Sequence, residues 1–143
     1  MDIKRRMLED MAVKLADEFD QNFRRKAFFT KRWLPSKHGL IKTGTLRRSI
    51  KATVEGDGVR FTSQVPYAVA HNEGFDGTAR VRAHRRRLRK TGKEYAVKAH
   101  SRRFSLPQRQ FVGDGPDTRR IVKECVDRAV EELGVEVKRR LTE

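Results

Sequence analysis

One cysteine, Cys125, is the whole thiol content of the chain, so neither a disulfide framework nor a cysteine-based metal site can form within one copy. Set in a helical pattern beside Val122 and Val126, it reads as a buried, inert thiol. No apolar run approaches the roughly 18 residues that span a bilayer, and the N-terminus lacks the apolar stretch of a signal peptide. The expected setting is therefore cytoplasmic, with no membrane partner. Hydrophobic residues are also short, at 36% of 143 positions. A chain of this length makes one domain with one core, so either the surface is unusually extended or other copies or partners supply part of the burial. Acids are scarcest of all in relative terms: 19 Asp and Glu face 34 Lys and Arg, for a formal net charge of +15. Such an excess makes acidic surfaces or nucleic acid the expected neighbours, but it speaks to association rather than fold.

The excess is concentrated. From Arg80 to Arg109 there are twelve Lys or Arg and a single acid, Glu94, which places +11 of the total in this stretch. Within it lie two near-copies, Val81-Arg82-Ala83-His84-Arg85-Arg86-Arg87 and Val97-Lys98-Ala99-His100-Ser101-Arg102-Arg103, joined around Lys90-Thr91-Gly92-Lys93. Two similar strands about a glycine that can take positive φ predict an antiparallel hairpin. So much like charge cannot be buried unpaired. Residues 79–103 are thus expected to form a projecting basic arm, held by a compact body of residues 1–78 and 104–143 in a single domain. Its contact set, for another subunit or for DNA, is Arg80, Arg82, His84, Arg85, Arg86, Arg87, Arg89, Lys90, Lys93, Lys98, His100, Arg102 and Arg103.

The body reads as two helices about a hairpin. Ile3, Met7, Met11, Leu15, Phe19 and Phe23 recur every four residues, a long amphipathic helix from Asp2 to about Lys26. It should loosen at Phe28-Phe29-Thr30 and break before Pro35, with Trp33 as a lid on the core. Gly39 signals a loop. Thr43 or Thr45 is placed to cap a short turn with Leu46 and Ile50 inward. Ile50, Ala52 and Val54, then Val59, Phe61, Ser63 and Val65, alternate with polar residues around Gly56-Asp57-Gly58, the firmest hairpin signal in the chain. Tyr67 to Gly74 is a turn or short helix, and residues 75–78 are a flexible lead-in to the arm. Phe111 and Val112 anchor the return. A second long helix starts near Pro116-Asp117 and runs to about Arg140, its apolar side made by Ile121, Val122, Cys125, Val126, Ala129, Val130 and Leu133. The fold class is α+β: an antiparallel sheet packed against the N- and C-terminal helices, both on one face.

Reaction chemistry finds little support. A metal site from His71, His84 and His100 would need well-placed ligands in a field that repels cations. A histidine-pair nuclease is chemically conceivable, but the two arm histidines occupy equivalent hairpin positions and are as readily cross-strand neighbours. No phosphate-cradling glycine loop, Ser/His/Asp order or paired-carboxylate motif is present, so neither catalysis nor a cofactor is expected. Nucleic-acid binding through the arginines, with Phe104 or Tyr95 stacking, competes with docking on an acidic protein groove.

Three segments in order, Leu40 to Ile50 around Lys42-Thr43-Gly44-Thr45-Leu46, Val65 to Gly74 around Pro66-Tyr67-Ala68, and Leu106 to Gly113, resemble the phage virion morphogenesis family, which includes tail completion proteins of Mu-like and P2-like tailed phages. The likeness runs from about residue 3 to residue 140. It departs at Gln108-Arg109-Gln110, where the family more often has Ala-Arg-Pro. The resemblance implies a non-enzymatic structural protein that completes or caps the tail and joins it to the head, assembling in the host cytoplasm and ending in the virion. Its implied partners are further copies in a ring, a hexamer being one such closure, and tail tube or head-tail connector proteins, with non-specific DNA contact left open. By the same resemblance Thr43, Gly44, Leu46, Pro66, Tyr67, Gly74, Pro107, Arg109, Phe111 and Gly113 are framework positions rather than an active site.

Overall fold

The computed structural model describes residues 2–36, 40–41 and 43–143; the loop signal at Gly39 lies outside them. Helix α1 spans Ile3–Arg25. Asp2 caps it, its carboxylate accepting from the Arg5 N–H at 3.1 Å, the arrangement that satisfies an otherwise orphaned amide. Where the sequence predicts a loosened helix end, the chain instead makes a tight antiparallel pair, β1 (Ala27–Phe28) with β2 (Lys31–Arg32). The turn carries Phe29 at φ +56°, a conformation that costs a bulky residue. What holds it there is the Phe29 N–H donating to Asn22 Oδ1 at 2.9 Å, while the Phe29 ring packs edge-on against Phe19 and Phe28.

Helix α2 (Thr45–Ser49) follows. Gly44 occupies the N-cap at φ +72°, while the Thr43 hydroxyl accepts from the Thr45 N–H at 3.4 Å and meets the Thr45 hydroxyl at 3.0 Å. Arg47 holds α2 to α1 through two 2.6 Å bonds to Asp20. Strands β3 (Lys51–Glu55) and β4 (Gly58–Thr62) pair with Glu55 opposite Gly58, as the alternation predicts. Ser63 ends the ladder: its hydroxyl takes the Val65 N–H and meets the Ser49 hydroxyl. After α3 (Ala68–Glu73), β5 (Phe75–Val81) and β8 (His100–Leu106) pair, and inside them β6 (His84–Arg87) pairs with β7 (Glu94–Val97). Helix α4 (Pro116–Thr142) completes the chain.

The protein is α+β, with four helices and antiparallel two-stranded ladders among the described residues. One expectation changes: the strands do not merge into one sheet among the described residues. Helix α1 is the spine that packs against both the β3–β4 hairpin and α4, and Val59 and Phe61 of β4 pack on the cluster that holds Ile121 and Cys125 of α4. The reason is where α1 places its large side chains. Met11, Leu15 and Phe19 bury with Phe28, Ile121 and Cys125 in one cluster, while Phe23, one turn on, joins Trp33, Leu46, Ala68 and Phe111 in a second. Phe19 meets Phe61 edge-on at 5.0 Å and Phe23 meets Phe111 at 4.9 Å. One helix thus serves both clusters, and each such phenylalanine stabilises by roughly 1.5–3 kcal/mol on burial. Trp33 is buried as a core lid, its indole N–H donating to the Gln110 carbonyl at 2.8 Å.

Candidate functional site: a cationic ribbon and its anchor

Between α3 and α4 the chain runs out and back as a two-stranded ribbon that is longer than the sequence suggests. Residues 75–78 are not a flexible lead-in: they belong to β5, with Phe75 opposite Leu106 and Thr78 opposite Arg103. Their pairing follows from the regular register, which carries unbroken from Leu106 to His100. At the far end Gly92 takes φ +67°, as the predicted turn requires. The Gly92 N–H donates to the Leu88 carbonyl and the Leu88 N–H to the Lys93 carbonyl, at 2.8 and 2.9 Å.

The duplicated sequence has a structural meaning. Val81 pairs with His100 and His84 with Val97, so the histidines do not face each other; each stands opposite the valine of the other copy. Between those pairs Arg82-Ala83 and Lys98-Ala99 leave the ladder. In each copy the histidine Nδ1 lies 2.8 Å from the carbonyl two residues before it, Arg82 for His84 and Lys98 for His100. An Nδ1–H donating to that oxygen replaces the missing ladder bond. The Val-x-Ala-His repeat therefore marks a matched pair of interruptions in the ladder, one per strand.

Every arm cation is exposed: Arg80, Arg82, Arg85, Arg86, Arg87, Arg89, Lys90, Lys93, Lys98, Arg102 and Arg103. Of these eleven, only Arg85 and Arg103 have a described carboxylate within 4 Å, Glu94 at 3.9 Å and Asp76 at 3.6 Å, both on the ribbon itself. Nine have none among the described residues. Arg86 stands opposite Tyr95, and Arg87 donates to the Gly92 carbonyl.

The ribbon's root is fixed by the residues the family resemblance singled out, though not by all of them. Gly74 ends α3 at φ +80°, and a Cβ there would lie 3.2 Å from the Gln108 backbone nitrogen, so both conformation and close approach select glycine. The Arg109 N–H donates to the His71 carbonyl, Leu46 and Phe111 are buried, and Pro107 is half-buried at the end of β8. Gly113 follows at φ +152°. Thr43, Pro66 and Tyr67 are exposed; the Tyr67 ring sits edge-on to His71 at 5.8 Å. Sequence reasoning missed two asparagines. Asn72 Oδ1 accepts from the Phe111 and Val112 N–H groups, and its carbonyl takes the Gln108 side-chain amide. Fully buried Asn22 donates to the Phe111 carbonyl. Together they clamp the return segment across the departure at Gln108-Arg109-Gln110.

His71 Nδ1 and Arg109 Nε are buried without a hydrogen-bond partner among the described residues. Burial, with the neighbouring Arg109 charge, lowers the His71 pKa, so the imidazole stays neutral beside the guanidinium. No group of three or more His, Cys, Asp or Glu that could hold a metal ion occurs among the described residues, and His71 sits at the ribbon's root rather than with His84 and His100. No described helix is long and apolar enough to cross a membrane.

The described residues thus form an α+β body that carries an exposed cationic ribbon between α3 and α4. A model of the phage virion morphogenesis family matches residues 1–131 of the 143. The chain belongs to that family, and its role lies in virion morphogenesis. No curated protein and no solved structure gives a significant match.

Proposed function

We propose that this protein is a non-enzymatic structural subunit that completes the phage tail and joins it to the head, acting as a member of a ring whose basic ribbon engages surfaces beyond its own protomer. The observation that carries the reading is the set of nine exposed ribbon cations with no carboxylate within 4 Å among the described residues. Charge of that density needs a counter-surface, and a family that builds virions supplies one in neighbouring subunits or in tail tube and connector proteins. Closed rotational symmetry is the usual outcome when copies of one chain associate. Assembly takes place in the host cytoplasm and the product stays in the virion.

The register provides the test. Gly77 and Phe104 are directly opposed, so Thr78 to Arg103 can be replaced by a two-residue Asn-Gly turn without disturbing the ribbon's root. The shortened protein should fold with native helicity, remain monomeric by mass measurement and fail to complete tails. A shortened variant that still forms the same rings contradicts the reading.

A second reading is that the arginines face packaged DNA, favoured by Arg82, Arg85 to Arg87, Arg102 and Arg103 lying exposed on one ribbon. Reversing those charges should then impair joining or DNA delivery; particles that join and deliver normally dispose of it.

A further inference from the structure

We propose that the apolar face of the ribbon docks on a partly exposed stripe of α4 in the neighbouring copy, making the ring contact head-to-tail; this rests on the ring reading above and names the two surfaces.

The lower half of the ribbon is two-faced. Strand alternation puts Phe75, Gly77, Ala79 and Val81 of β5 on one side, opposite Leu106, Phe104, Arg102 and His100 of β8. A Cβ on Gly77 would fall 2.9 Å from the Phe75 ring, so that ring lies over the glycine, 5.9 Å from the Phe104 ring. Both rings remain about 40% exposed. A two-stranded ribbon with no layer on its apolar side is marginally stable in water.

Helix α4 has the matching deficiency. Ile121 and Cys125 bury against α1, but Val126, Val130, Leu133 and Val137 recur at four, three and four residues on a different side and are between 36% and 62% exposed. That spacing is the one by which a helix inserts side chains into a partner. Leu133 and Val137 line an open cleft with Ile3 and Arg6 of α1, and Val126 and Val130 lie beyond it.

Sign and length both fit. From Glu124 to Glu136 five acids stand beside Arg128, of which Glu124, Glu132 and Glu136 are already ion-paired with Arg120, with Arg6 and with Arg139 and Arg140. Asp127 and Glu131, one turn apart, edge the stripe. Glu131 has no ion pair among the described residues, and the Asp127 pair with Lys123 is an exposed one, worth at most about 1 kcal/mol and free to exchange. Arg102 and His100 lie on the ribbon's apolar face and would meet this acidic edge. Phe75 to Val81 spans about 20 Å at strand rise, and Val126 to Val137 about 16 Å at helix rise. Because the two patches differ, the contact is heterologous and propagates from copy to copy until rotation closes it.

Full-length protein in a Cys125→Ser background provides the test. Ala79→Cys chains mixed with Val130→Cys chains should give a mixed disulfide that outweighs either homodimer. Arg102→Glu or Glu131→Arg alone should raise the concentration at which assembly is half complete by about tenfold, roughly one desolvated interaction, and the two together should restore it. Phe104→Glu or Leu133→Glu should abolish assembly while leaving the circular dichroism of the chain unchanged. If Val130→Cys homodimers prevail and the double charge swap fails to rescue, α4 pairs with itself about a two-fold axis and the docking is overturned. Rings of unchanged mass in the Phe104→Glu and Leu133→Glu variants overturn it while sparing the ring reading. Unmodified protein that stays monomeric with and without tail tube ends both.

Discussion

Asn22 has no exposed surface, yet it carries the joint between the start and the end of the body: it donates to the Phe111 carbonyl and accepts from the Phe29 N–H and from Arg25. Replacing it by leucine removes these bonds and strands a buried backbone donor and acceptor. Asn22→Leu should therefore cost about 2–3 kcal/mol, measured by urea unfolding, with circular dichroism reporting the helices. His71 supplies a pH signature. Its folded pKa lies below the ordinary 6.5 because of burial and then Arg109, so the unfolded chain binds the extra proton. Stability should hold above about pH 6.5 and decline as pH falls below it, and His71→Gln should flatten that limb in melts at pH 5 and pH 7.5. Asn22 was within reach of the sequence, since it continues the three-and-four spacing of Leu8, Leu15 and Phe19 on the buried side of α1. Asn72 left no such mark: an asparagine near a helix end is ordinary until the return segment arrives beside it.

Elements were legible where local rules suffice. The periodic α1 stripe, the β3–β4 alternation, the Pro116 start of α4 and the Gly92 turn appear as sequence reading predicts, because period, cap and turn chemistry act within a few residues. The β1–β2 turn was missed because a phenylalanine at positive φ contradicts propensity, and only the Asn22 side chain makes it tolerable. The first part of β5 was missed because Phe75-Asp76-Gly77-Thr78 lacks a strand's look without β8 beside it. The ribbon repeat was seen as duplication, but its register, each histidine against the other copy's valine, depends on turn length and cannot be counted from the copies alone. Since each histidine only bridges a local break in the ladder, His84→Ala with His100→Ala should leave the melting of the body unchanged and speed amide exchange across 80–86 and 96–102, read by hydrogen-exchange mass spectrometry. Slower or unaltered exchange would show that the breaks need no imidazole.

For the whole molecule the excess of +15 becomes a polarity, a body with interleaved surface ion pairs and a ribbon with almost none. Retention of short DNA should accordingly be non-specific, strong near 50 mM salt and largely gone by about 200 mM, and the ribbon-replacement variant should lose it. Gel shifts with two unrelated sequences across that range check this; retention that persists in high salt or prefers one sequence would promote the DNA reading over the protein-contact one.

By itself the sequence determined the two amphipathic helices, the β3–β4 hairpin, the Gly92 turn, the class of the fold and the place where charge accumulates, since periodicity and like-charge repulsion are properties of short stretches. Only the tertiary structure decided that α1 divides the core in two, that Asn22 and Asn72 clamp the ribbon's root, and that α4 keeps a second apolar stripe partly exposed. Those outcomes turn on which surfaces are consumed by packing and which are left over, a quantity that exists only once distant segments have met.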